Sequence, residues 1–177
     1  HVYGDEALRP MLDLDFLVPD DRIEVASRVV LGLGYMWDAS APTPGEHETD
    51  YTTHHHLRRL MRRGRLPVEL HRAIAPPDRP WVIDTDDLWR RAQPTRIGGV
   101  DVLALASEHL LLHLVVHAAT HQFTIPLLAI EDIARVAERL APTPVWPRFI
   151  EVANRARLGG TAYATLVLAR RLLAARI

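Results

Sequence analysis

The sequence predicts an α+β fold: a small mixed β-sheet core over residues 1–105, followed by a C-terminal helical subdomain over residues 106–177. Three observations carry this. The first two-thirds alternates short β-patterned runs with one amphipathic helical stretch; Pro and Gly clusters punctuate that region; and from Ser107 onward only helical periodicity remains. At 177 residues and 48% hydrophobic content, the chain is long enough for one small α/β domain with a helical extension.

Residues 11–18 form the first strand pattern, and Pro19-Asp20-Asp21 supplies a turn and an N-cap for a helix over 21–33. In that helix Ile23, Val25, Ala26, Val29, Val30 and Leu33 recur at helical spacing, and Gly34 is placed to end it. Residues 38–50 are rich in Pro, Gly, Asp, Glu and Thr and read as a loop. Two β-like runs, 53–61 and 66–74, flank Arg62-Arg63-Gly64-Arg65, which predicts a hairpin with Gly64 in its turn. Alternation puts Val68 and Leu70 on one face of the second run and Glu69 and His71 on the other. A short helix is expected within 81–91, and Gly98-Gly99 turns into a strand over 100–105. Helices are then predicted over 108–121 with Ser107 as N-cap, over 127–140 behind Pro126, over 147–158 ending at Gly159-Gly160, and over 161–177.

Composition narrows the function classes. A net charge of −1 gives no global basic field, so nucleic acid is not an expected partner. There is no cysteine, which excludes disulfides and thiolate metal sites and fits a cytoplasmic protein. No apolar run reaches the length of a membrane span and no signal-peptide pattern is present, so no membrane partner is expected. Every basic residue is Arg, a bias that suggests a high-GC bacterial coding sequence. The chain opens at His1 and enters its first strand almost at once, so further sequence is expected upstream.

The chemistry concentrates in Arg9-Pro10-Met11-Leu12-Asp13-Leu14-Asp15-Phe16-Leu17-Val18. Residues two apart in a strand share a face, so Asp13 and Asp15 project one way, roughly 7 Å apart at the backbone, and Leu12, Leu14 and Phe16 the other. Two such carboxylates repel each other unless a cation neutralises them. Mg²⁺ takes oxygen ligands, commonly one or two carboxylates plus substrate phosphates. The pattern therefore points to a metal-dependent site for nucleotide phosphates, with Glu69 as a third carboxylate on a polar strand face. The plain alternative is an amphipathic edge strand that presents Asp to solvent without a metal.

Other residues offer weaker signals. His109, His113, His117 and His121 are four apart on one predicted helix, where a neighbouring pair could hold Zn²⁺ or, more simply, line a cleft or cap buried polar groups. His54 and His56 share a face by alternation, and His71 shares one with Glu69. Arg58, Arg59, Arg62, Arg63 and Arg65 read as a solvated hairpin tip, with phosphate or RNA contact as the functional alternative. Asp132 reads as a surface or capping residue of an amphipathic helix, and Trp37, Trp81, Trp89 and Trp146 as packing residues.

Three segments carry a family resemblance: residues 8–18 quoted above with Leu8, then Gly32-Leu33-Gly34-Tyr35, then Val68-Glu69-Leu70-His71. Together with residues 111–117 and 128–135 they resemble the bacterial uncharacterised nucleotidyltransferase family, within the DNA polymerase β-like nucleotidyltransferase superfamily. The resemblance implies that Asp13, Asp15 and Glu69 bind Mg²⁺ (or Mn²⁺) and are catalytic. It implies substrate contacts for Arg9, His71, His56 and His117, with an NTP as substrate. It departs from the superfamily at one point. A Gly-rich phosphate-cradling turn normally precedes the Asp-x-Asp strand, whereas here only Val2-Tyr3-Gly4-Asp5 does, so that turn is either absent or lies before residue 1. The expected function is transfer of an NMP from an NTP to an acceptor hydroxyl on a small molecule or protein. The alternative is a degenerate nucleotidyltransferase-fold binding protein, or an antitoxin-like protein, without transfer activity.

Overall fold

In the computed structural model, which describes residues 3, 9–39 and 54–177, the opening apolar run pairs as a strand only in its second half, β1 (Leu14–Leu17). The ladder begins where the Leu14 N–H donates to the Pro67 carbonyl at 2.9 Å. Pro67 has no N–H to return, so residues 11–13 have no strand to join and Leu12 is 81% exposed rather than buried. After a 3₁₀ turn (Asp20–Arg22) comes helix α1 (Ile23–Gly32), without the side-chain N-cap expected from Asp20 or Asp21. The Asp20 carboxylate is instead engaged by Arg72 at 2.7 Å. Gly34 ends the helix as predicted, at φ 85°, its N–H donating to Leu31, and Arg62 donates to the Leu33 carbonyl at 2.6 Å.

Three further strands complete the sheet: β2 (Met36–Trp37), β3 (Leu60–Met61) and β4 (Val68–His71). Their order is β1-β4-β3-β2, with β1 parallel to β4 and the other pairs antiparallel. The predicted hairpin is present, with Gly64 at φ 72° in its turn, but it is regular over fewer residues than its β-pattern covers. Outside β3, the backbone of the first arm pairs with the second at an isolated bridge, His56 to His71. Ile23 packs with Leu60, Val68 and Leu70, and Leu14, Val18, Ala26 and Val30 close around them. Because β1 and β4 give Leu14, Val68 and Leu70 to this core under α1, alternation sends Asp15, Glu69 and His71 to the opposite face. The predicted loop 38–50 lies, from residue 40 on, outside the described residues.

The chain divides into two compact units, Tyr3–Arg79 and Pro80–Ile177. Helix α2 (Thr85–Arg91) and the hairpin of β5 (Gln93–Ile97) and β6 (Val100–Ala104) therefore group with the helices, ahead of the 105/106 boundary expected. For α2 the cause is visible: Asp87 and Arg91 pair with His109 and Glu108 of the following helix, at 3.2 and 2.7 Å. Strand β5 was not legible in a polar run containing Pro94. It forms because Gly98 and Gly99, at φ 57° and 84°, make the turn that folds it onto β6.

Helices α3 (Ser107–Thr120), α4 (Leu127–Leu140), α5 (Val145–Arg155) and α6 (Gly159–Leu173) pack around Leu111, Val115, Ile133, Phe149 and Leu158, all nearly inaccessible. Ser107 is not the N-cap of α3. The extended residue is Ala106, one earlier, so Ser107 is the first helical residue and makes no capping bond. Nor does Gly159-Gly160 end α5. The left-handed residue there is Arg157, at φ 59°. It is held by bonds from its own N–H to Asn154 and from Leu158 N–H to Ala153. Gly159 opens α6 instead, and a Cβ at that position would collide with the Asn154 side chain.

Candidate active site

The parallel pairing of β1 with β4 sets Asp15 directly beside Glu69, and Leu17 beside His71. Neighbouring strands lie about 4.8 Å apart, so three side chains predicted from separate signals meet on one sheet face. His71 Nε2 lies 3.3 Å from Asp15 Oδ1 and 3.5 Å from Glu69 Oε2. One ligand atom from each of the three residues falls within 4.8 Å of the others. The backbone beneath is fixed on both sides of the pair, since Val18 N–H donates to the His71 carbonyl at 2.8 Å.

Arg59 completes the cluster. Its Nε and Nη2 both reach Glu69 Oε1, at 2.7 and 2.6 Å, and Nη2 lies 3.6 Å from Asp13 Oδ2. Glu69 thus divides its oxygens, Oε1 to the guanidinium and Oε2 to the imidazole. Asp13, just ahead of β1, lies on the Arg59 side and outside the three-residue convergence. The sequence reading of Arg59 is a hairpin tip, with phosphate contact as the alternative, but a signal for its pairing with Glu69 is present. The hairpin pairs Leu60 with Val68, so Arg59, one residue before the buried Leu60, shares the polar face with Glu69.

These contacts set the charge states. The hydrogen bond from His71 is the main influence on Glu69; burial opposes it and Arg59 adds to it, and the carboxyl is held down at about 2. Burial pushes the His71 imidazole down, but hydrogen bonds and charge from Asp15 and Glu69 outweigh it and leave the group raised to about 9. Arg59 is raised chiefly by its hydrogen bond to Glu69. Near neutral pH the cluster is two carboxylates bridged by an imidazolium and closed on one side by a guanidinium.

The remaining candidates fall in different places. His56 is close to the cluster: its ring centroid lies 5.0 Å from that of His71, with His55 at 5.3 Å. The His54 ring neighbours that of His56, with centroids 6.4 Å apart, and His56 bridges to His71. Arg9 donates to the Pro10 carbonyl next to it. Arg58 lies over the Trp37 ring, 5.8 Å from its centroid, and Arg62 caps α1, so these members of the expected basic patch carry separate structural contacts.

His117 lies in the second unit, its ring 6.5 Å from His113 and 4.6 Å from His121. Four-residue spacing stacks these rings as expected, but no three-ligand grouping forms on α3 among the described residues. His109 turns the other way, buried against Asp87 at 3.2 Å. Asp132, expected at the surface, is buried on α4.

A small mixed sheet whose polar face gathers two carboxylates, an imidazole and a guanidinium, together with a helical unit, defines an α+β chain with a polar, ion-paired centre. The family model described as "Uncharacterised nucleotidyltransferase" matches residues 1–174. The chain belongs to that nucleotidyltransferase family. Searches among curated proteins and among solved structures found no match. Among the described residues, no helix is long and apolar enough to cross a membrane.

Proposed function

We propose that this chain is a divalent-metal-dependent nucleotidyltransferase that moves an NMP from an NTP to an acceptor hydroxyl and releases pyrophosphate. The observation that carries this reading is the register of Asp15 with Glu69, which faces two carboxylates across adjacent strands with Asp13 at the edge of the pair. Asp15 and Glu69, with His71 beside them, offer ligand atoms within 4.8 Å of one another, a spacing that fits a single small cation. Asp13, Asp15 and Glu69 would hold Mg²⁺ or Mn²⁺, which when bound would neutralise the triphosphate and favour ionisation of the acceptor. Arg9, ahead of the strand, would meet phosphate oxygens through its forked donors, and His56, beside the cluster, would face the substrate. Placing these groups on paired strands makes catalysis chiefly a matter of positioning and charge. The acceptor is a small molecule or a protein.

One observation favours a second reading, a nucleotidyltransferase fold kept for binding without transfer. Arg59 and His71 already neutralise the carboxylates from within the chain. Calorimetric titration of ATP, GTP, CTP and UTP, each with Mg²⁺, separates the two readings, with transfer followed by pyrophosphate release. Metal-dependent binding that falls at least roughly tenfold in Asp15→Asn, together with pyrophosphate release, supports the enzyme. Binding that ignores both metal and Asp15→Asn supports the second reading.

A further inference from the structure

The resemblance implies three carboxylate ligands, but the side chains that converge are two carboxylates and an imidazole. Asp15 Oδ1 and Glu69 Oε2 approach the same nitrogen, His71 Nε2, at 3.3 and 3.5 Å. Around an ion with ligand bonds of about 2.1 Å, adjacent donors lie about 3.0 Å apart and opposite donors about 4.2 Å. The three donors can therefore share one ion once the bridging proton on His71 Nε2 is released to solvent and the side chains make small rotations. Asp13 is placed differently, since its carboxylate faces Arg59 rather than this point.

The support around the three donors is that of a positioned ligand set. Glu69 and His71 are two apart on β4 and face the same way, while Asp15 comes from the strand paired with it. Arg59 occupies Glu69 Oε1 through two nitrogens and leaves Oε2 turned towards His71. Such a contact behind a ligand orients it, and removing one commonly costs 10- to 100-fold in metal affinity.

We propose that His71 Nε2 is a direct metal ligand of this site, and that the resulting nitrogen-plus-two-carboxylate set prefers Mn²⁺ over Mg²⁺. The inference rests on the metal-dependent reading above and deepens it. Mg²⁺ is held through oxygen and keeps several waters, whereas imidazole suits first-row transition ions. A site built only from Asp13, Asp15 and Glu69 carries no such bias. Arg59 then acts as a positioning residue, through Glu69.

The test uses the full chain stripped of metal. Mn²⁺ alone and Mg²⁺ alone are titrated by calorimetry, and electron spin-echo envelope modulation is recorded on the Mn²⁺-loaded protein. The expected result is Mn²⁺ binding at least about tenfold tighter than Mg²⁺, with ¹⁴N modulation from one coordinated imidazole. In His71→Asn that modulation disappears and the Mn²⁺ preference falls by about tenfold or more; in His56→Asn both persist. The unmutated protein gives the nitrogen signal independently of how well the variants fold. Mn²⁺ binding sensitive to Asp15→Asn but without nitrogen modulation, or with equal affinity for the two ions, overturns His71 as a ligand and leaves the carboxylate site standing. Modulation that survives His71→Asn also overturns it. No binding of either ion, alone or with an NTP, removes this inference and the enzyme reading together.

Discussion

Replacing Glu69 with Gln in the metal-free protein isolates the electrostatics of the site, because the change keeps side-chain shape and removes one charge beside His71. In the native cluster the imidazole is raised from 6.5 to about 9 although burial opposes its charge, so Asp15 and Glu69 together supply more than the net shift. An opposite charge at this range contributes roughly 1–3 pH units. The titration midpoint of His71 should therefore fall by at least about one unit in Glu69→Gln, towards the ordinary histidine value. Glu69 itself, held at about 2, stays ionised throughout the native titration and does not blur the comparison.

The assay is ¹⁵N imidazole NMR of both proteins in chelator between pH 5 and 10. The same shift has a stability consequence. A raised folded value contributes stability that is full below pH 6.5 and lost as pH rises through about 9. Its size is on the order of 3 kcal/mol at most, and Glu69→Gln should flatten much of that dependence in urea melts. A native midpoint at or below 6.5, or one that does not move in Glu69→Gln, would refute the bridged arrangement.

Three further outcomes follow from the helical unit. Asp87→Ala removes the carboxylate between exposed Arg90 and buried His109 and leaves the imidazole unpaired; it should cost about 1–3 kcal/mol, read as a lowered urea midpoint. Phe149→Ala empties a side chain that is 1% exposed, its ring tilted against Trp146 with centroids 5.4 Å apart; a loss of about 3–5 kcal/mol is expected by thermal melting followed by circular dichroism. Burial first of all pushes His109 down; burial also opposes the charge of Asp87 and Glu108, but Arg90 lowers Asp87, and a backbone hydrogen bond followed by Arg91 lowers Glu108. All three shifts are downward, so the stability they contribute is present above pH 6.5 and lost on acidification, first through His109 and then through the carboxylates below about 4.5. An unfolding free energy that stays flat from pH 7 to 4 would contradict this.

The local pattern of the chain determined which side of each strand is polar. Alternation alone separates Glu69 and His71 from Val68 and Leu70, because successive residues of a strand point to opposite faces. Gly34 and Gly64 were likewise legible, since each sits at a positive φ that glycine adopts without strain. The family resemblance, too, resides in sequence, in the Asp-x-Asp run and in Glu69 with His71. Capping was less legible: whether Asp20 caps α1 depends on Arg72, fifty-two positions along the chain (72 − 20), which takes its carboxylate.

Register was decided only in three dimensions. Nothing within residues 9–18 says that Asp15, rather than Asp13, will stand beside Glu69, because that choice is made by hydrogen bonds between β1 and a strand more than fifty residues later (Asp15↔Glu69). The same long-range pairing turned His71 from a neighbour of the site into its bridge and brought Arg59 from a hairpin arm onto Glu69. It also acts in the helical unit, where Asp87, Glu108 and His109 are individually ordinary polar residues of two separate helices. They become a buried ionic cluster only because α2 and α3 meet. A sequence carries the chemical type of each side chain and its local face, while the energy of a charged group depends on the distance to its partners, and the tertiary fold sets that distance.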